Sequence, residues 1–319
     1  VALLGCKKLE GLGGQTSEPA ASASAAENAG PSSEEEQDYV LSERISAHID
    51  CINYATRDAF HAQRGYHMRI DEKRGPTGKE KGVWLPKIDA QRCFKGLAEA
   101  KAKPPALPEL DAVSARYQAS LEKLAPLVKE ASDYYDQKNF EDDAWAKGKQ
   151  MHAGLEAAFV DFEQANEAFE AQVRKINEGL AERRLQRLKS NPAAQLEYRI
   201  AVVIANAKQL VRLADVSELA TLDLPAFTQA LDRYEASVQD GEKYMEAHPD
   251  EASKVLTLSF FRSRSAAFLK SSKALMRLKR DGKKLAPTTT PELDLGHPAN
   301  VLKAYNELIE ASNRLTFRR

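Results

Sequence analysis

Between Leu155 and Leu180 the chain sets Leu155, Phe159, Phe162, Asn166, Phe169, Val173, Ile176 and Leu180 at alternating spacings of four and three. On a helix those positions form one unbroken stripe, so the spacing predicts a helix of about 25 residues, ~38 Å long. A stripe of that length cannot be left in water. It requires other apolar stripes to cover it, and it excludes folds built mainly from sheet. Asn166 is the polar member of the seam, the kind of group that fixes register at some cost in stability.

The partners can be read along the chain. Leu41, Ile45, Ile49, Ile52 and Phe60 mark a first amphipathic helix. Pro108-Glu109-Leu110-Asp111 opens a second, with Val113, Tyr117, Leu121 and Leu124 facing inward, and Pro126 is predicted to kink or split it. Asn191-Pro192 reads as the stop of the long helix and the start of the next, Asn191 as cap and Pro192 in the first turn. Leu196, Ile200, Val203, Ala207, Leu210 and Leu213 stripe that helix; Phe227, Leu231, Tyr234, Val238 and Met245 stripe another that ends near Pro249. Further helices are predicted over about 250–280 and from Ala299 to Leu315. The fold expected is all-α: an elongated antiparallel helical bundle forming one domain over 38–319, with a charged insert at about 64–88. A coiled-coil oligomer competes with it, but the short polar corners favour a chain that folds back on itself.

Ahead of the helices the sequence changes character. Val1-Ala2-Leu3-Leu4 reads as the tail of an apolar signal core, and Leu3-Leu4-Gly5-Cys6 resembles the lipobox of bacterial lipoproteins, in which the cysteine is acylated. Residues 1–6 are thus expected to be the remnant of a signal with its lipid site at Cys6. Residues 7–37, Ala-, Ser- and Glu-rich, are expected to be a disordered tether spanning roughly 30 Å. By resemblance to lipoproteins of Gram-negative bacteria, Lys7 after the cysteine favours the outer membrane. An envelope address leaves Cys51 and Cys93 as an even pair, either bridged or two separate buried thiols. A bridge would close a loop worth ~4 kcal/mol on chain entropy.

Forty-six basic residues against forty-seven acidic ones leave no global field to draw nucleic acid. No run of apolar residues is long enough to span a bilayer. The insert is locally basic: positions 64, 69, 73, 74, 79, 81 and 87 are Lys or Arg, against acids at 71, 72 and 80. Arg69, Lys73, Arg74, Lys79, Lys81 and Trp84 are therefore candidates for binding an anionic envelope polymer or lipid headgroups, with a solvated loop as the plainer reading. "GPTGKEKG" at 75–82 lacks the glycine and the Ser/Thr that a phosphate loop needs. Asp133, Asp136, Glu141, Asp142 and Asp143 lack the calcium-loop pattern and read as helix capping. Ser120 and Lys123 form an isolated S-x-x-K without its companion motifs, and the histidines show no metal-binding spacing. No catalytic residue, metal ligand or cofactor is assigned.

"YYDQKNFEDDAWAKGKQMH" (134–152) resembles the central signature of the YiiG-like family of bacterial lipoproteins, with Tyr134, Tyr135, Asp136, Phe140, Asp142, Asp143, Lys147 and Gly148 carrying the likeness. "AHIDCINYA" (47–55) and "VLKAYNELIEASNRL" (301–315) are similar to its terminal helices. The resemblance implies a helical periplasmic domain of unknown function on a lipid anchor, and it supplies no catalytic residues. The expected function is a non-enzymatic binding or structural role in the envelope, attached to the membrane through Cys6 and with an envelope protein or polymer as partner. A small-molecule or metal carrier and an envelope hydrolase are the alternatives.

Overall fold

A computed structural model describes residues 33–80, 82–216, 218–285 and 290–318. The expected lipid site at Cys6, most of the expected tether and Lys81 lie outside the described residues. Ten α-helices are present among them: α1 Ser33–Cys51, α2 Arg57–His67, α3 Gln91–Lys101, α4 Pro108–Asp136, α5 Ala146–Ser190, α6 Gln195–Ala214, α7 Leu224–Ala247, α8 Pro249–Ser253, α9 Leu258–Arg280 and α10 Pro298–Asn313. Two-residue strands β1 (Val255–Leu256) and β2 (Thr316–Phe317) pair antiparallel. The chain is all-α, and its helices fall into two compact units, one up to Leu180 and one from Ala181 on, with the division inside α5. Stripe periodicity gives no sign of such a division, because a continuous apolar face does not say which neighbours it meets at each end.

Four boundaries differ from the sequence reading. Helix α1 begins at Ser33, inside the stretch expected to be tether, where Glu34, Glu35 and Glu36 place negative charge on the positive end of the helix dipole. The first helix continues past the expected start of the insert: a π-helical turn, Ile52–Thr56, links α1 to α2, which runs to His67. Helix α3 was not legible at all. Helix α4 continues through Pro126 unsplit, its flanks buried by Leu121, Leu124 and Val128.

In the first unit, α5 is the common wall. Arg116 pairs with Asp161, and Glu109 accepts from Gln172 and Lys175, so α4 and α5 run antiparallel. Gln63 on α2 reaches Glu163, and His67 reaches Glu156, the same sense for α2 on α5. Arg44 of α1 and Thr56 meet Asp111 and Tyr117 of α4, so these two helices run parallel to each other. The seam residues Leu155, Phe159, Phe162, Phe169 and Val173 are buried, with Tyr117 packed on Phe169 at 4.6 Å between ring centres. Cys51 and Cys93 form a disulfide that fastens α3 to α1.

Polar groups are threaded through this core in an ordered series. Arg44, 1 % exposed, forks onto both oxygens of Asp111 at 2.7 and 2.9 Å and donates to the Lys103 carbonyl. His48 donates to the Arg44 carbonyl, and burial holds its imidazole below the ordinary histidine range. Thr56 donates to the side-chain amide oxygen of Asn166 at 2.8 Å while its oxygen faces the Tyr117 hydroxyl at 2.8 Å. Asn166 then donates to Glu170 at 3.0 Å. Burial raises the Glu170 carboxyl above the ordinary carboxylate range, against that hydrogen bond.

The second unit holds a four-helix arrangement. Asn206 donates to the Arg233 carbonyl and Arg199 pairs with Asp240, making α6 and α7 antiparallel. Tyr234 meets Ser265 and Glu242 meets Arg262 across α7 and α9, and Arg264 and Ser271 reach Glu307 and Asn300 across α9 and α10. Helix α10 also packs on α6, which closes the ring. Asn191 accepts from the Ala193 amide and Pro192 starts a short 3₁₀ turn before α6, as the sequence predicts.

A carboxyl raised on folding contributes stability that is present below about pH 4.3, its unfolded value, and lost as pH rises through the folded value. Replacing Glu170 with Gln keeps an acceptor for Asn166 without the buried charge. The Glu170→Gln variant is expected to melt a few degrees higher than the parent at pH 8 and to coincide with it at pH 4, measured by thermal unfolding followed by circular dichroism. A difference independent of pH would overturn this account of Glu170.

Candidate functional site

The segment 134–149 makes the corner between α4 and α5, and its geometry accounts for most of the signature. Lys138, Ala144 and Trp145 adopt left-handed backbone conformations, with φ of 56°, 50° and 68°. These are unfavourable for residues that carry a Cβ and persist only where neighbours hold them. Aromatic packing supplies the hold. Trp145 stacks on Phe140 at 4.5 Å, Tyr135 lies 5.9 Å from Trp145, and Tyr134 meets Tyr135 edge-on at 5.0 Å. Gly148 lets α5 approach the tyrosines: a Cβ there would lie 3.1 Å from the Tyr135 hydroxyl and 3.2 Å from the Tyr134 ring.

Asp143 caps α5. Its carboxylate accepts from the Lys147 amide at 3.0 Å and from the Tyr134 hydroxyl at 2.8 Å. Burial opposes the charge, but those bonds, with the Trp145 and Ala146 amides, hold the carboxyl below its ordinary range. Burial first, and the Asp143 bond second, pushes the Tyr134 phenol up to about 12. Lys147 pairs with Glu130, Ser132 donates to Asp136, and Asp142 is exposed. The signature residues are thus gathered at one corner, and their interactions are with one another and with the adjoining turns of α4 and α2.

The insert lies against this corner. Burial places the Tyr66 phenol well above its ordinary range, and its hydroxyl faces His152 Nδ1 at 3.0 Å. His152 Nε2 donates to the Glu72 carbonyl, and Gly75 sits so close that a Cβ would be 2.7 Å from the imidazole. His67 Nε2 donates to the Glu156 carboxylate at 2.9 Å, with His152 3.9 Å from the same oxygen. The carboxylate of Glu80 accepts from the Thr77 hydroxyl and from the amides of Thr77, Gly78 and Lys79, folding the 77–80 loop around itself. Asp133, held down to about 2 by its hydrogen bonds from Lys129 and Lys87, pins the far end of the insert to α4. Among the described residues of the insert the backbone pairs only in one isolated bridge, Asp71 to Gly75.

The candidate binding residues divide. All four of Arg69, Lys73, Arg74 and Lys79 are exposed, and Arg74 pairs with Asp71 at 2.9 Å. Trp84 is 63 % exposed between buried Val83 and Leu85, and its backbone is pressed onto Gly65, where a Cβ would come 2.9 Å from the indole and 2.4 Å from the Trp84 carbonyl oxygen. Met68, 70 % exposed at the end of α2, was missed by the sequence reading because a single methionine after a helical stripe carries no signal. Among the described residues, no three His, Cys, Asp or Glu side chains gather to hold a metal ion, and no helix is long and apolar enough to cross a membrane. Ser120 is buried and donates to the Tyr117 carbonyl, which ties its hydroxyl to the helix.

Comparison with known proteins agrees with this extent. A family described as protein of unknown function (DUF3829) matches residues 39–314. "Uncharacterized protein YiiG" of Escherichia coli (strain K12) is 26 % identical over 289 residues, covering 86 % of this chain and 79 % of that protein. No solved structure matches the chain.

If the signature serves the corner, removing its cap should loosen it. In a Trp84→Phe background, where emission reports Trp145, Asp143→Ala is expected to lower the melting temperature by a few degrees and shift emission to the red. Unchanged melting and emission would show that Asp143 is not holding the turn.

Proposed function

We propose that this chain, which belongs to the DUF3829 family of proteins of unknown function, is a lipid-anchored protein of the bacterial cell envelope that works by binding rather than by catalysis. Cys6 carries the lipid, the polar stretch after it spaces the helices from the membrane, and the helical part faces the periplasm, with the outer membrane favoured by Lys7. The observation that carries the reading is the Cys51–Cys93 disulfide, both partners buried, joining α1 to α3. Such bonds persist where the surroundings are oxidising, as in the periplasm. The order Leu3-Leu4-Gly5-Cys6 followed by an Ala/Ser/Glu-rich run supports the same address.

A binding role is supported by how the titratable groups are used. Arg44 and Asp111, His67 and Glu156, Tyr134 and Asp143, and Asp133 with its two lysines each hold one element to another. Groups committed in this way position the fold. The insert, in contrast, turns cations and an indole outward.

The test is mass spectrometry of the precursor expressed in a bacterium, with and without Cys6→Ser, together with a non-reducing peptide map. The expected result is a lipid-modified Cys6 peptide in the parent alone and a linked Cys51–Cys93 pair in both proteins. An unmodified Cys6 with free thiols at 51 and 93 would overturn the envelope reading.

A further inference from the structure

The end of α2 and the insert that follows it carry an uncompensated charge with a defined cause. Acids are present in the stretch, but two of them are turned toward its own backbone. Asp71 accepts from the Lys73 and Arg74 amides and from the Arg74 guanidinium. Glu80 is enclosed by the amides of Thr77, Gly78 and Lys79 and the Thr77 hydroxyl. Lys87 is taken up by Asp133. What remains without an ion-pair partner among the described residues is Arg64, Arg69, Lys73 and Lys79, all exposed, against the carboxylates of exposed Glu72 and of Glu80, which keeps its charge but is wrapped by its own loop, so the excess is positive.

Two large apolar side chains stand among these cations. Met68 and Trp84 are 70 % and 63 % exposed, among the most exposed of the described large hydrophobic residues. Both belong to the end of α2: Trp84 lies against Gly65, and Met68, three residues on, caps the helix. Trp84 is displayed from a fixed backbone, since Val83 and Leu85 on either side are buried and anchor the segment. Ordering it on binding therefore costs little side-chain freedom beyond its two torsions.

We propose that this surface, the end of α2 with the 69–84 stretch, docks on an anionic phospholipid bilayer. Cations near such a surface are drawn to it electrostatically, the more weakly the higher the salt. Indole rings prefer the headgroup level of the interface, and the Met68 thioether suits the acyl boundary beneath it. A soluble polyanion would satisfy the cations but offers nothing to Met68, which is why the bilayer is favoured. The proposal rests on the envelope reading only for where such a bilayer is met; the contact itself needs no lipid on Cys6.

The experiment uses the full chain with Cys6→Ser, which removes any acyl anchor and so separates this contact from lipidation. Binding to vesicles of phosphatidylglycerol and of phosphatidylcholine is measured by co-sedimentation and by Trp emission. The chain has two tryptophans, and Trp145 is buried, so the change on binding reports Trp84. The expected result is binding to phosphatidylglycerol with a blue shift and protection from iodide, weakened by salt, and at least tenfold weaker binding to phosphatidylcholine. Arg69→Glu with Lys79→Glu is expected to weaken binding at least tenfold, and Trp84→Ala with Met68→Ala to weaken it comparably and abolish the shift. Each variant is checked by its thermal unfolding. If the apolar double variant fails to fold, iodide protection of Trp84 in the Cys6→Ser chain decides the matter. Equal binding to both lipids, binding with Trp84 still open to iodide, or retention on dextran sulfate without vesicle binding would each overturn the proposal, the last in favour of a polymer.

Discussion

The first unit depends on a hydrogen bond that an apolar seam would not be expected to contain. Asn166 occupies the middle of the α5 stripe, and a seam of Leu and Phe could be packed by sliding its partners a heptad in either direction with little loss of buried area. The amide removes that freedom. Its oxygen takes the Thr56 hydroxyl, its nitrogen reaches Glu170, and Thr56 is shared with Tyr117, so three helices are registered at one point. A slipped register would keep the Glu170 bond, which lies within α5, but would leave the buried amide oxygen without its Thr56 donor, a loss of about 1–3 kcal/mol. The π-helical turn lies at this junction, ending on Thr56. Once the register is set there, Arg44 falls opposite Asp111 on one side, and Gln63 and His67 fall opposite Glu163 and Glu156 on the other.

The same register brings the end of α2 beside the start of α5, and this is what gives the insert a defined course. His152, nearly two turns into α5, holds the Glu72 carbonyl and packs against Gly75, while Tyr66 supplies the other contact to its ring. The signature corner stands next to it, with Gly78 approaching Trp145. Three residues in left-handed conformations are tolerated there because the Phe140–Trp145 stack, the two tyrosines and the Asp143 cap all act on a span of a dozen residues. The second unit uses a simpler device. Its helices alternate up and down, and paired polar contacts such as Tyr234 with Ser265 mark the facing positions.

How much of this was legible follows from what each element is made of. The seam, the Asn191-Pro192 stop and the α6, α7 and α10 stripes were readable because local pattern and tertiary burial demand the same residues. Helix α3 was not: in eleven residues it buries Cys93, Leu97 and Ala100, too few for a period, and it is fastened to α1 by a covalent bond. The continuation of α2 to His67 was hidden by charge, since Arg57, Asp58, His61 and Arg64 lie on its outer face and its inner face is built from the small residues Ala59, Ala62 and Gly65. The corner was recognisable as a corner, but nothing in Ala144-Trp145 announces a left-handed turn. That conformation is imposed by the aromatic packing, which only the folded chain displays.

The division between structural and functional residues in this protein rests on where each polar group finds its partner. A stretch rich in Asp, Tyr and Lys at 134–149 has the composition of a site, yet Asp143, Tyr134, Lys147 and Gly148 are accounted for by contacts within the corner itself. The insert has the composition of a solvated loop, yet two of its three acids bond its own backbone while Arg69, Lys73, Lys79 and an anchored indole are left facing outward. A loop selected only for solubility gains nothing from burying Val83 and Leu85 to hold Trp84 in water, because exposing an indole opposes folding and promotes association. The positive charge and the apolar pair on one outward surface are the features on which the bilayer contact proposed above rests.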